Sequence, residues 1–207
     1  MAGKSNGKTV DFYFGLSSRY SYLAHTQLDG IAERTGATFV WKPLFTPDLM
    51  NKQGQNPFAS EPPSGAYDVE YRLRDVARWA RHYGIPYVEI DGRLEGDRRQ
   101  FSLAAVAGAA LGKGEAMSKA IFAAMLQSER RSLTDMELVE IAVGVGLDAR
   151  AYSEALTSSQ TEALHTSHIE SGIAAGVFGA PTFVCDGHLW FGNDRLVLLE
   201  EWLANKN

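Results

Sequence analysis

Cysteine is nearly absent from this chain, which has one, Cys185, among 207 residues. A single cysteine cannot form an internal disulfide, so cross-links do not hold the fold together, and a reducing compartment is its natural setting. Cys185 lies in a short apolar run, and we interpret it as a small buried hydrophobic residue.

Two further absences limit the class of protein. No apolar run approaches the roughly 20 residues of a membrane-spanning helix, and the N-terminus lacks the apolar core of a secretory signal. Positive charge is in deficit, with 20 lysines and arginines against 25 aspartates and glutamates. General nucleic-acid binding needs a basic surface. We therefore expect neither a nucleic acid nor a membrane as partner, and a cytoplasmic location.

The first part of the chain has the pattern of a β-α-β unit. Val10–Phe14 and Thr38–Lys42 are rich in β-branched and aromatic residues, which favours strands. Between them, apolar residues recur with helical spacing over Tyr20–Thr35, and Gly36 follows as a helix-ending glycine. We expect the two strands to be parallel, with a right-handed crossover.

The middle of the chain changes character twice. Five prolines between Pro43 and Gly65 predict a long loop without regular structure. From Tyr67 to Gly176 the apolar spacing is helical nearly throughout. Thr134 and Glu137 have the spacing of a capping box, and a long helix is predicted over Ser159–Ala174.

The C-terminal part returns to strands. Asp186-Gly187 joins the short apolar runs Thr182–Cys185 and His188–Phe191, which predicts a tight hairpin. Asn193 or Asp194 is then expected to cap a final helix. The order predicts an α/β protein with a thioredoxin-like fold and a large all-helical insertion. We place the thioredoxin-like domain at 8–65 and 157–207 and the insertion at 66–156.

The junction between the first strand and the first helix carries the clearest chemistry. Ser17, Ser18 and Ser21 crowd the helix start, and any of them could serve as its N-cap. A helix N-terminus offers unpaired N–H groups and partial positive charge, which stabilise a thiolate. Since no protein cysteine stands here, the natural guest is the thiol of a bound cofactor, to which a serine hydroxyl could donate a hydrogen bond.

Two segments resemble a known family. VDFYFGLSSRYSYLA (residues 10–24) resembles the opening of 2-hydroxychromene-2-carboxylate isomerases, relatives of kappa-class glutathione transferases and DsbA-like oxidoreductases. Those isomerases read D-F-Y-F-D-x-x-S-P-Y-S-Y-L. GVFGAPTFVCDG (176–187), followed by FGNDRL, resembles the family's second signature. Arg19 replaces the usual proline and Gly15 a usual aspartate. The resemblance covers nearly the whole chain beyond the N-terminal tail.

The resemblance implies glutathione as cofactor and Ser18 as the catalytic residue that contacts its sulfur. The implied glutathione-binding residues are Ser18, Tyr20, Gln55, Ala180, Pro181, Asn193 and Asp194. In this family the alanine position pairs its backbone with the cysteinyl unit, and the following proline is cis. Lys52 or Lys42 would attract the carboxylate of a small aromatic substrate. The resemblance also implies a homodimer.

We therefore expect a glutathione-dependent isomerase of 2-hydroxychromene-2-carboxylate or a similar intermediate of aromatic degradation. Two alternatives remain open: a kappa-like transferase with the same thiolate pocket, and a non-catalytic thioredoxin-fold binding protein. A protein-disulfide oxidoreductase is excluded because it needs cysteine at position 18. His165 and His168 lack further ligands at a convincing spacing, so no metal is expected.

Overall fold

The computed structural model describes residues 7–54, 68–89 and 95–205. Its strands are β1 (Thr9–Phe14), β2 (Thr38–Pro43), β3 (Thr182–Cys185) and β4 (His188–Phe191). They form one mixed sheet in the order β2-β1-β3-β4. β1 runs parallel to β2 and antiparallel to β3, which pairs antiparallel with β4. This confirms the predicted parallel β-α-β unit and the C-terminal hairpin.

Helices surround the sheet and fill the middle of the chain. They are α1 (Arg19–Thr35), α2 (Thr46–Lys52), α3 (Val69–Tyr83), α4 (Arg98–Ala110), α5 (Gly114–Leu126), α6 (Asp135–Gly144), α7 (Ala149–Leu156), α8 (Ser159–Ala174) and α9 (Leu196–Ala204). α8 has the predicted bounds, and the capping box of Thr134 and Glu137 is formed at the start of α6. Across the described ranges, none of these helices has the length and apolar character of a membrane span.

Two local predictions were wrong. Thr46–Lys52 forms a helix within the segment predicted to lack regular structure, because Pro47 lies in its first turn, where no helical N–H is needed. Neither Asn193 nor Asp194 caps α9. Both belong to a short 3-10 turn, Asn193–Arg195, and α9 starts after Arg195 without a side-chain cap.

One face of the sheet carries an aromatic core. Phe12 stacks on Phe14 and on Phe183, with ring centroids 4.6 and 5.0 Å away. The edge of Trp41 meets Phe12 at 5.2 Å. α1 packs on this face, and the same cluster continues into the middle helices. The predicted insertion therefore shares one core with the sheet, and the predicted boundaries at 65/66 and 156/157 remain predictions.

Two smaller clusters position the surrounding helices. On the opposite face of the sheet, Tyr13 packs with buried residues of α2 and α8, including Leu49 and Ile169. A third cluster, of Leu23, Val76 and Ala80, joins α1 to α3. As a result, α3 lies alongside the first turns of α1.

Phe12→Ala tests the aromatic core. We expect it to lower the free energy of unfolding by about 3–5 kcal/mol, because it leaves a cavity between two stacked rings. Urea unfolding measures this loss. The matched control is Phe191→Ala on edge strand β4, where the side chain is 42% exposed, and about 1 kcal/mol is expected. Equal losses for the two variants would contradict this assignment of the core.

Candidate functional site

Ser18 is the N-cap of α1, which decides among the three candidate serines. Its backbone is extended, and its hydroxyl oxygen accepts the N–H of Ser21 at 3.2 Å. Ser21 is fully buried and serves the preceding turn: its hydroxyl oxygen accepts the N–H of Gly15 at 3.3 Å. Together these two serines hold the chain between the end of β1 and the start of α1.

The start of α1 has unpaired hydrogen-bond donors. Among the described residues, the backbone N–H groups of Arg19 and Tyr20 have no acceptor, and the Ser18 hydroxyl donates its proton to none. Ser18 is partly exposed. Three donors and the positive end of the helix dipole therefore meet at one accessible point, which suits an anion such as a thiolate.

Ala180 and Pro181 lie at the same end of the sheet. Tyr13 of β1 pairs with Thr182 of β3, so the chain leading to Ser18 and the chain arriving through Pro181 meet there. The Ala180–Pro181 peptide bond is cis, as the resemblance implies. The N–H and C=O of Ala180 bond to no described residue, so both are available to an extended peptide.

Asn193 and Asp194 lie close to this end of the sheet because Gly192, which precedes them, is hydrogen-bonded to Pro181. The N–H of Gly192 donates to the carbonyl of Pro181 at 2.9 Å. Gly192 has φ 103°, and a Cβ there would lie 2.5 Å from Asp194 Oδ1, so a side chain would collide with that carboxylate. Asn193 is buried, and its carbonyl accepts the hydroxyl of Tyr83 at 3.3 Å. Asp194 is exposed and pairs with Arg195 at 2.8 Å.

Tyr20 faces α3. Its hydroxyl donates to Asp75 at 2.9 Å. Burial and this acceptor raise the pKa of the Tyr20 hydroxyl above its usual range, so the group stays protonated at neutral pH. The hydroxyl is occupied by Asp75, which leaves the backbone N–H of Tyr20 as its contribution to an anion at Ser18.

The two predicted substrate lysines are not brought to Ser18. Lys42 lies on the opposite sheet face, where its amine contacts Asp11 at 2.7 Å and the Tyr13 hydroxyl at 3.2 Å. Lys52 ends α2 and pairs with Glu170 of α8 at 3.6 Å. Gln55, the predicted glutathione residue of the proline-rich segment, lies outside the described residues.

A cleft of about 270 Å³ lies beside Lys52, and its lining includes no residue from the start of α1. It is lined partly by Asp48, Arg99 and His165. His165 is fully buried, its Nε2 accepts the N–H of Phe45 at 3.0 Å, and burial lowers its pKa to about 4. His168 contacts the Pro43 carbonyl at 2.9 Å. Within the described ranges no group of acidic, cysteine and histidine side chains could hold a metal ion.

Arg19 and Gly15, the two residues that depart from the resembling pattern, each have a neighbour that the sequence does not indicate. Arg19 forms a bidentate ion pair with Glu89, 70 residues away in the chain. A Cβ at Gly15 would lie 2.7 Å from the Thr46 hydroxyl, so α2 occupies the space that a larger side chain would need. No local pattern links these pairs, which only the tertiary structure brings together.

The chain matches the model of the DSBA-like thioredoxin domain over residues 9–204. It is 29% identical to a 2-hydroxychromene-2-carboxylate isomerase of Sphingobium xenophagum over 96% of this chain and 99% of that one. A solved 2-hydroxychromene-2-carboxylate isomerase is 27% identical, with TM-score 0.80 over 94% of each chain. The cytosolic disulfide reductase DsbM of Pseudomonas aeruginosa, solved with GSH, has the same fold, with TM-score 0.66, 20% identity and coverage of 95% and 96%.

Ser21→Ala tests the turn before α1. We expect it to lower the free energy of unfolding by about 1–3 kcal/mol, because it leaves the N–H of Gly15 without an acceptor. The matched control is Ser118→Ala, also fully buried, whose hydroxyl donates to the Gly114 carbonyl at 2.7 Å. That removal leaves no N–H unpaired, and a cost of about 0.5 kcal/mol or less is expected. Urea unfolding compares the two, and an equal or larger loss for Ser118→Ala would contradict the role given to Ser21.

Proposed function

The chain belongs to the DSBA-like thioredoxin domain family, and on that premise we propose that it is a glutathione-dependent isomerase. Its substrate would be 2-hydroxychromene-2-carboxylate or a similar intermediate of aromatic degradation. The observation that carries the proposal is the start of α1. Ser18 stands where an oxidoreductase of this fold needs a cysteine, and its hydroxyl proton is free beside two unpaired N–H groups.

The substrate class is supported by the relatives. The curated relative from Sphingobium xenophagum and the solved structure with TM-score 0.80 are both named 2-hydroxychromene-2-carboxylate isomerases. Each aligns over most of its own length as well as over most of this chain, so the likeness extends beyond the sheet to the helical middle. This supports the same reaction class for the present protein.

The residues at this end of the sheet fit glutathione. Ala180 has a free N–H and C=O for the cysteinyl backbone, and Asp194 has an exposed carboxylate for the γ-glutamyl ammonium. Asp194 would exchange its contact with Arg195 for that ammonium. DsbM, which has the same fold, was solved with GSH. When bound, glutathione would supply a thiolate nucleophile for reversible addition to the substrate.

The protein's own part is to hold and stabilise that sulfur. Ser18 would donate its hydroxyl proton to the sulfur, and the N–H groups of Arg19 and Tyr20 would point their dipoles at the same atom. A hydrogen bond to a charged group contributes about 1.5–3 kcal/mol, and a helix N-terminus adds about 0.3–1 kcal/mol. Together they would lower the thiol pKa by roughly one to three units.

The oligomeric state, the location in the cell and the fate of the glutathione adduct are further predictions of this proposal. We expect a homodimer, to be tested by sedimentation velocity, and a cytoplasmic location, to be tested by fractionation. Catalysis by glutathione addition is shared with a kappa-like transferase, and the two differ only in whether the adduct is released as product. Product analysis by mass spectrometry separates them.

Ser18→Ala tests the role of the hydroxyl. We expect the glutathione-dependent rate with the chromene carboxylate to fall by about 10²-fold, as when one donor to a developing anion is removed. Because Ser18 is also an N-cap, the variant should lose about 1 kcal/mol of stability. The matched control is Ser158→Ala, which removes the equivalent cap of α8, whose hydroxyl accepts the N–H of Thr161 at 3.1 Å.

The control should lose similar stability and keep its rate. Full activity in Ser18→Ala, or a rate in either protein that does not depend on glutathione, would overturn the assigned mechanism. Absence of glutathione binding by the wild type, measured by calorimetry, would instead favour the non-catalytic thioredoxin-fold protein.

A further inference from the structure

Arg19 is the residue beside Ser18 whose role the proposed function leaves open. It occupies the first position of α1, where the resembling isomerases have proline, a residue with no charge and no side-chain donor. The chain therefore carries a permanent positive charge next to the proposed catalytic serine.

Glu89 binds one edge of the Arg19 guanidinium. Nε and Nη2 of Arg19 donate to the two carboxylate oxygens of Glu89 at 2.9 and 2.6 Å. Glu89 also accepts the hydroxyl of Tyr87. The Arg19 and Glu89 side chains are 21% and 27% exposed, so the ion pair is mostly buried but still accessible to solvent. Among the described residues, Nη1 of Arg19 has no carboxylate partner, and the guanidinium also lies within hydrogen-bond reach of the Tyr87 hydroxyl.

This protein already uses an arginine with carboxylates on two edges. Arg99 donates from Nε to Asp48 at 2.9 Å, and from Nη1 and Nη2 to Glu162 at 2.9 and 2.7 Å. Arg19 binds one carboxylate through Nε and Nη2 and lacks a second. The fork of Nη1 and Nη2 is the geometry that binds a carboxylate in a bidentate manner.

Aromatic side chains lie near the Arg19–Glu89 pair, since Tyr87 donates to Glu89 and Tyr20 follows Arg19 in α1. Partly buried aromatic side chains pack on the cluster that joins α1 to α3, and they are Tyr20, Trp79, Tyr83 and Tyr87. Apolar ring surface beside one fixed polar group is the composition of a site for a small aromatic anion. The lysines predicted for this role lie elsewhere, Lys42 on the opposite sheet face and Lys52 beside α8.

We propose that Arg19 binds the carboxylate of the aromatic substrate through its free edge, while Glu89 holds the guanidinium in position. This assignment rests on the proposed function for the identity of the substrate. It makes Arg19 a specificity-determining residue and Glu89 a positioning residue. The alternative residue for binding the substrate carboxylate is Arg72 of α3, which lies close enough to Tyr20 to influence the pKa of the Tyr20 hydroxyl.

The test is direct binding of chromone-2-carboxylate, an unreactive bicyclic aromatic acid, measured by calorimetry with and without glutathione. Arg19→Met should weaken binding by at least about tenfold, while Arg19→Lys, which keeps charge but loses the fork, should fall between it and the wild type. Glu89→Gln removes a competing negative charge and keeps an acceptor oxygen, so binding should be as tight as in the wild type or tighter. The uncharged chromone-2-carboxamide should not distinguish Arg19→Met from the wild type.

The matched control is Arg34→Met, at the far end of α1. Arg34 also forms a two-point ion pair, with Glu200 at 2.5 and 3.1 Å, and its loss should leave binding within about twofold. If Arg19 served only to hold the fold, Arg19→Met and Glu89→Gln would weaken binding together, which would overturn the proposal. Should Arg19→Met fail to fold, the comparison of Arg19→Lys, which should weaken binding, with Glu89→Gln, which should not, decides the matter.

Three other results would also overturn the assignment: unchanged binding in Arg19→Met, an equal loss for the acid and the amide, or a loss in Arg72→Met in place of Arg19→Met. None of these measurements needs turnover. A wild type that binds the acid through Arg19 but does not isomerise the chromene carboxylate would therefore overturn the proposed function alone. A wild type that does not bind the acid would overturn the role of Arg19.

Discussion

The hydrogen bond from the N–H of Ser21 to the hydroxyl oxygen of Ser18 starts α1 at the end of the sheet, and the candidate site depends on it. The bond uses the oxygen of Ser18 as acceptor and leaves its proton to donate outward. The N–H groups of Arg19 and Tyr20 in the first turn have no acceptor among the described residues, and Ala180 lies at the same end of the sheet. The same serine is thus a structural cap and the donor that the proposed chemistry requires.

The aromatic core supports this arrangement. Phe12 and Phe14 fill the sheet face under α1, and Phe183 of β3 stacks on the same ring row. Because β1 leads into Ser18 and β3 begins just after Pro181, packing within this row fixes the two halves of the site relative to each other. A scaffold of strands and one helix is a precise support for a small number of polar contacts.

Much of this fold could be predicted from local sequence signals, and the failures have physical causes. The Asp186-Gly187 turn and the Thr134–Glu137 capping box are local, so they were recognised directly. α2 is not evident from the sequence because proline usually breaks a helix, whereas Pro47 lies in the one turn where it is tolerated. The face on which Lys42 lies, and the pairing of Arg19 with Glu89, depend on contacts between distant segments, which no local pattern contains.

The central claim is that α1 lowers the pKa of a thiol that the protein does not itself possess. A pH titration of glutathione labelled with 13C at the cysteinyl β-carbon, followed by NMR at saturating protein, measures that pKa in the complex. Bound to the wild type, the thiol should titrate at least about one unit below the value near 8.5 of a free thiol, and Ser18→Ala should move it back toward that value. An unshifted thiol pKa in a saturated wild-type complex would contradict the account.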